Sequence, residues 1–349
     1  LPAQLGPAKL VPAKLVPAWP GRWVARTAWP VVDAPTQTLF LCPDGLRGQP
    51  GEAAALDVSS GQTTGLRAGY QCSYGLGPDL SDDQRIDDAL SLCFDTEPLD
   101  AAWQLLGEPA LELDVRCDQP LAMLAVRLCD VAPDGSSLRL SYGLLNLAHR
   151  DGSQAPAPLV PGAVYRVSLR LCALAQVVPK GHRIRLALSN SYWPIAWPSP
   201  LVNRLTVHTA NARLRLPLYR PDPAQEAALA PFGAPEGAVP GALVEIRPRT
   251  TLQSQDRIEQ DLGQGRVELV RARDRGAWKT LDTDVHYDTR GELRFAIQAD
   301  DPLSASQSID LTTELGRANW QVRTEVTTRL TADADQFRIV AHLRAWEGD

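Results

Sequence analysis

Between residues 36 and 216 the chain alternates apolar and polar positions with the period of an extended strand. Val167, Leu169 and Leu171 stand against Arg166, Ser168 and Arg170, and Ile184, Leu186 and Leu188 sit among Arg183, Arg185 and Ala187. Alternation of this kind gives each strand one buried face and one wet face. The run Leu121-Ala122-Met123-Leu124-Ala125-Val126 is apolar at both parities, and the turn signal Pro133-Asp134-Gly135 follows it. That pattern suits a strand covered on both sides. Many short strands broken by Gly, Pro and Asp turns, with no helical spacing between them, predict a β-sandwich or jelly roll with little helix. Beyond residue 241 the segments Val267 to Val270, Leu293 to Ile297, Trp320 to Leu330 and Phe337 to Leu343 also read as strands. The last two, joined by Ala332-Asp333-Ala334-Asp335, have the look of a hairpin.

Two breaks divide this pattern. The first is a five-residue repeat, Pro7-Ala8-Lys9-Leu10-Val11 and Pro12-Ala13-Lys14-Leu15-Val16. Proline every fifth residue blocks a continuous helix, so the repeat reads as an extended linker. It leads into a junction carrying Trp19, Trp23 and Trp29, whose large rings call for packing against something outside the linker, or for a strap across the first domain. The second break, 217–241, holds Pro217, Pro221, Pro223, Pro231, Pro235 and Pro240 among alanines and glycines. The organisation expected is a linker and junction over 1–30, a jelly roll over 31–216, a linker over 217–241 and an additional β-rich domain over 242–349. The fold class expected is all-β.

Composition narrows the function without naming it. The 349 residues are 44% hydrophobic and 22% charged, with a net charge of -6. These are values of a folded globular protein, and 35 basic residues spread along the chain give no footprint for nucleic acid. No apolar run reaches the roughly 18 residues of a membrane span. Six cysteines with no C-x-x-C pair, mostly inside strand-like runs, read as buried free thiols and favour a reducing, cytoplasmic setting. The chain opens on Leu1 and its single methionine is Met123, which reads as a processed sequence or a fragment.

A serine nucleophile needs a tight turn flanked by small residues, and no G-x-S-x-G is present. The nearest approach, Gln71-Cys72-Ser73-Tyr74-Gly75, lacks the first glycine. His149, His182, His208, His286 and His342 are scattered and have no partner at metal-ligand spacing. No phosphate-cradling glycine motif occurs, so neither cofactor nor metal is expected. The acidic run Asp82-Asp83-Gln84-Arg85-Ile86-Asp87-Asp88 lacks calcium-loop spacing and reads as a solvated turn with local Arg85 pairs. Tyr192-Trp193-Pro194-Ile195-Ala196-Trp197-Pro198 is an aromatic candidate, either a sugar-stacking platform or an interface or cleft wall.

Several of these stretches, taken in order, resemble the C-terminal region of the CocE/NonD hydrolases, which include cocaine esterase-like enzymes and Xaa-Pro dipeptidyl-peptidases. The resemblance runs through Gly21-Arg22-Trp23, Asp83-Gln84-Arg85, Leu90 to Leu99 and Gly107-Glu108-Pro109. It continues in Val126 to Gly135, Tyr142 to Asn146, Pro179 to Leu186 and Ser189 to Pro198. It implies a galactose-binding-like jelly roll that packs on a preceding α/β-hydrolase domain bearing a Ser-Asp-His triad. No triad residue carries over to this chain, which is therefore expected to be inactive alone, with the α/β-hydrolase domain as its partner. Tyr192, Trp193 and Trp197 are the residues expected at that interface or cleft wall. The rival reading is a free-standing carbohydrate-binding module or a non-catalytic subunit.

Overall fold

The computed structural model describes residues 35–72, 79–228, 243–247 and 255–348, together with 21–24, 26, 28, 29 and 233. The chain divides into two compact units, Leu1–Leu229 and Ala230–Asp349.

The first unit contains β1 (Thr36–Cys42), β2 (Gly45–Arg47), β3 (Ala55–Val58), α1 (Arg85–Ala89), β4 (Leu92–Asp95), β5 (Trp103–Gly107) and β6 (Ala110–Cys117). There follow β7 (Met123–Val131), β8 (Ser137–Asn146), β9 (Val164–Arg170), β10 (Leu174–Val178), β11 (Arg183–Ser189), β12 (Leu205–Pro217) and α2 (Pro223–Ala227). The strands form an antiparallel sheet in the order β2-β1-β12-β6-β9, with β3 also on β12, a second sheet β4-β11-β7-β8, and the pair β10-β5. The non-sequential neighbours show strands crossing between sheets, as a jelly-roll sandwich requires.

Alternation decides which side chains enter the sandwich. Leu111, Leu113 and Val115 of β6, Leu124, Val126 and Leu128 of β7, and Ile184, Leu186 and Leu188 of β11 belong to one continuous buried cluster with Leu205, Val207 and Leu214 of β12. At roughly 1.5–3 kcal/mol for each fully buried aliphatic side chain, this cluster is the main favourable term for the unit.

β7 is buried at every position. One parity faces the sandwich core. The other carries Met123 and Ala125 into a second small cluster with Ala68 and Tyr192, against which Tyr142, Leu144, Ile195 and Ala196 pack. The outer face of the four-stranded sheet is thus covered by chain from the 60s loop and from the 190s. The doubly apolar run in the sequence has this cause.

Residues 217–227 stay with the first unit. Leu218 forms a bridge with Leu105, Tyr219 is buried, and Glu226 of α2 accepts from the Tyr219 hydroxyl and from Arg22. Arg26 lies over the Tyr219 ring at 4.2 Å from its centroid.

The second unit is a single antiparallel sheet of β13 (Leu243–Arg247), β14 (Gln255–Asp261), β15 (Arg266–Thr280), β16 (His286–Gln298), β17 (Asp301–Arg317), β18 (Trp320–Ala332) and β19 (Phe337–Glu347). β15 to β19 follow one another as a meander, while β13 and β14 both pair with β15. The hairpin expected at 332–335 is present. Asp333 Oδ1 accepts from the amides of Asp335 and Gln336, and the Asp333 amide bonds the Gln336 carbonyl, an Asx turn that fixes the β18–β19 register. The small apolar core of this unit is made by Val267, Leu269, Val270, Ala296, Ile297 and Ala305.

Candidate functional site

The densest polar constellation lies on the outer face of the four-stranded sheet. β7 places Arg127 opposite Ala187 of β11 and Tyr142 of β8. Its guanidinium is fully buried and meets Asp88 Oδ1 at 2.9 Å. It also donates to Gln84 Oε1 at 3.1 Å and to Ser91 Oγ at 2.8 Å. The other Asp88 oxygen accepts from Ser137 Oγ at 2.7 Å and from Arg185 Nη1 at 3.0 Å. Arg185 in turn grips Asp95 with two hydrogen bonds of 2.7 Å. Gln84 closes the network, its amide nitrogen donating to the carbonyls of Arg67 and Asp82. An ion set this deep persists because its charges are paired and most of its polar atoms are hydrogen-bonded; Arg127 Nε is a buried atom without a hydrogen-bond partner among the described residues.

The acidic run expected to be a solvated turn is therefore something else. Residues 85–89 form α1, and Gln84, Asp87 and Asp88 are buried while Arg85 and Ile86 stay exposed. The reason is the single cation in the doubly covered strand: Arg127 needs a counter-ion beneath the loop, and α1 supplies it. Arg85 does pair locally, with Asp83 at 2.5 Å.

Burial pushes the Asp87 carboxyl up, opposed by Arg127 and by the amides of Gly65 and Arg67. It also pushes the thiols of Cys93 and Cys129 up to about 12, with the Asp88 charge adding to both. A thiol held at that level is no nucleophile at neutral pH. At the end of the two central strands His182, just before β11, has its Nδ1 2.7 Å from Asp130 Oδ1 of β7. Burial raises the Asp130 carboxyl and His182 partly offsets this. These groups hold chain to chain. Among the described residues no group of three or more His, Cys, Asp or Glu side chains is placed to hold a metal ion.

The aromatic candidates part company in the structure. Tyr192 and Trp193 are interior, with 0% and 1% of their surfaces exposed. The Tyr192 hydroxyl accepts from Arg139 at 2.6 Å. Beside Trp193 the backbone of Gly65, at φ +107°, comes so close that an added Cβ would lie 2.6 Å from the Trp193 carbonyl oxygen. The 60s loop is thus laid directly over these rings, and Asn190 Oδ1 and Ser191 Oγ tie it down through the amide of Ser60 and through Gln62. Rings so covered cannot stack on a sugar. Trp197 is half-buried, edge-on to Trp193 at 5.2 Å between centroids, and lies with Pro194, Ile195 and Ala196 in a half-exposed run.

At the junction Trp23 is 78% exposed and Trp29 52% exposed. Trp29 lines an open groove of about 470 Å3 with Val24, Arg26, Ala28 and Leu106. Ser73 and Trp19 lie outside the described residues. All six cysteines are free, but Cys72 and Cys172 are exposed, so the expectation of buried thiols holds for Cys42, Cys117 and Cys129 and not for these two.

Residues 8–228 match the family described as the X-Pro dipeptidyl-peptidase C-terminal non-catalytic domain. The chain is 26% identical over 231 residues to a protein of Mycobacterium bovis named as a serine esterase, a match covering 57% of this chain and 36% of that one. It is 29% identical over 103 residues to the cocaine esterase of a Rhodococcus species, covering 30% of this chain and 18% of that one. The matched region is thus little more than a third of the length of the first relative. Among solved structures, an aminopeptidase from a marine sediment archaeon, a thaumarchaeote, aligns with a TM-score of 0.50 at 21% identity, over 56% of this chain and 39% of that one. By its jelly-roll unit and a family match across most of it, the chain belongs to the C-terminal non-catalytic domain family of the X-Pro dipeptidyl-peptidases, within the CocE/NonD hydrolases.

Proposed function

We propose that the first unit is the supporting domain of a serine hydrolase, docked on an α/β-hydrolase domain that cleaves an ester, amide or Xaa-Pro peptide bond by acyl transfer. In that arrangement the partner domain supplies the Ser-Asp-His triad. This chain supplies a rigid surface beside the acyl-binding cleft. The observation that carries the reading is the junction. Trp23 and Trp29 hold large apolar rings in water at the start of the family match, where a folded domain would otherwise hide them. The half-exposed run Pro194 to Trp197 is the second contact we assign to the partner, with Trp197 as the cleft-wall residue and Tyr192 and Trp193 fixing its position from below.

Residues 31–216 in this reading are the jelly roll, 1–30 and 217–241 its flanking connections, and 242–349 an added domain. Six free cysteines support a reducing, cytoplasmic setting.

The test is to read the coding DNA upstream of Leu1 and, where a frame encoding G-x-S-x-G continues, to make Trp23→Ser/Trp29→Ser in the full-length protein. Loss of the catalytic domain's thermal protection with an intact first unit is the expected result. A stop codon directly upstream, or a double variant with unchanged heat stability and turnover, would overturn the docking surface.

A further inference from the structure

The seven-stranded sheet of the second unit has two unlike faces. Registers place Ile309, Leu311, Thr313 and Leu315 of β17 beside Thr328, Val326, Thr324 and Val322 of β18. On the same face Leu330, Thr328 and Val326 stand beside Ile339, Ala341 and Leu343 of β19. From Ile309 to Leu315, Trp320 to Ala332 and Phe337 to Ala345, no side chain on this face is ionisable. The other face carries Asp310 and Glu314, Arg323, Glu325 and Arg329, and Arg338, His342 and Arg344. A sheet with this division buries its apolar side against something.

Among the described residues of the second unit nothing covers its outer strand. Every residue of β19 is exposed, Phe337 at 61% and Ile339 and Leu343 at 69%. β19 also lies at the edge of the sheet, with its charged side chains Arg338 and Arg344 on the opposite face. It contains no lysine, proline or bulge, and its pairing to β18 runs without interruption from Phe337 to Glu347.

We infer that this apolar face is covered by the same face of a second copy of the chain, stacked about a two-fold axis into a two-layer sandwich. Size supports a self-interface. Three strands spaced about 4.8 Å, each a dozen residues at about 3.4 Å, present on the order of 600 Å2 per copy, so a pair buries about 1,200 Å2, the lower end of a standard stable interface. An uncharged face is self-complementary, because stacking it on itself opposes no like charges and leaves the ionic faces in water. Its charged boundary lies at the rim: Arg271 and Arg273 beside Leu293, where Gly291 opens a cavity of about 200 Å3, and Glu347 at the far corner, held by Trp320. The family match ends at residue 228, before this sheet begins, so the face lies outside the matched domain.

The experiment is sedimentation equilibrium of the 349-residue chain, with single-cysteine cross-linking. Twice the 37.9 kDa chain mass is expected at micromolar concentration. Ile339→Lys/Leu343→Glu should weaken association by about 100-fold, with Arg329→Glu on the charged face as the unaffected control. In a Cys72→Ser/Cys172→Ser background, Val326→Cys should cross-link between copies with a short bismaleimide, whereas its neighbour Thr327→Cys, on the other face, should not. This second readout leaves the apolar side chains of β19 in place, so it stands if the double variant misfolds. A monomer that binds an apolar dye would overturn the inference and point to a different polypeptide on this face. Cross-linking equal at 326 and 327, with β19 amides protected from exchange, would overturn it in favour of edge-to-edge pairing.

Discussion

Arg127 and Asp88 face each other at 2.9 Å with side-chain exposures of 0% and 3%. Their meeting ties the middle strand of the four-stranded sheet to the loop and helix that cover it. Removing Asp88 takes the contacting carboxylate from a fully buried guanidinium, and removing Arg127 leaves Asp88 with Arg185 as its cation; breaking a buried pair in comparable sites costs about 3–5 kcal/mol, the upper end applying where the remaining charge has no second partner. Asp88→Ala and Arg127→Met should each lower the unfolding free energy of the first unit by up to that order, read from urea titrations. A loss below about 1 kcal/mol in both would mean that the pair is not the clasp of this layer.

Asp87, one residue away, has the opposite sign. Its folded-state carboxyl is raised above the usual range chiefly by burial. A raised acid favours the folded state below its unfolded value and loses that contribution as pH rises through the folded value. Asp87→Asn, which does not titrate, should therefore gain on the parent as pH is raised from about 3.8 to 7. Urea midpoints across that range check this, and a difference that is flat or shrinks with rising pH would contradict it.

The cysteines divide by environment. Cys72 and Cys172 are exposed, Cys42, Cys117 and Cys129 are buried, and burial holds the thiols of Cys93 and Cys129 near 12. A thiol reagent at pH 8 should find two groups quickly and the other four only in denaturant. Fast reaction of four or more in the native chain would show that the outer layer opens readily.

Gly65 is the close approach on which the cover over Trp193 depends. At φ +107° and with no room for a Cβ beside the Trp193 carbonyl, Gly65→Ala should cost about 1–3 kcal/mol and loosen the 60s loop. Faster amide exchange at Gly65 to Ala68 with the sandwich strands unchanged is the expected signature. Unchanged protection would contradict the fit.

Much of the fold is legible in the sequence because strand period and turn residues act locally. The doubly apolar run ending at Val126 became the fully buried β7, and the alternation in β9 and β11 marks their inner faces. The polar network is less legible, since it depends on long-range pairing of strand and loop. Its signal was nonetheless present: Arg127 is a lone cation within an apolar strand, and its partners Gln84 and Asp88 come from the Asp83 to Asp88 run, first read as a wet turn. The burial of Tyr192 and Trp193 is hard to read for a related reason. Aromatic residues beside prolines can close an interior as well as a surface, and the 60s loop that covers them is about 130 residues away in sequence. The β18–β19 hairpin shows the converse: its pattern was right, yet alternation says only that one face is apolar and not what lies against it.

The most direct test of the non-catalytic reading is to expose the purified chain to a fluorophosphonate probe and to a panel of acyl esters and Xaa-Pro anilides. No labelled serine and no turnover above the uncatalysed rate are expected from this chain by itself, with labelling confined to a catalytic domain when one is joined to it. Stoichiometric labelling of a serine within these 349 residues, together with turnover that the label abolishes, would contradict the account.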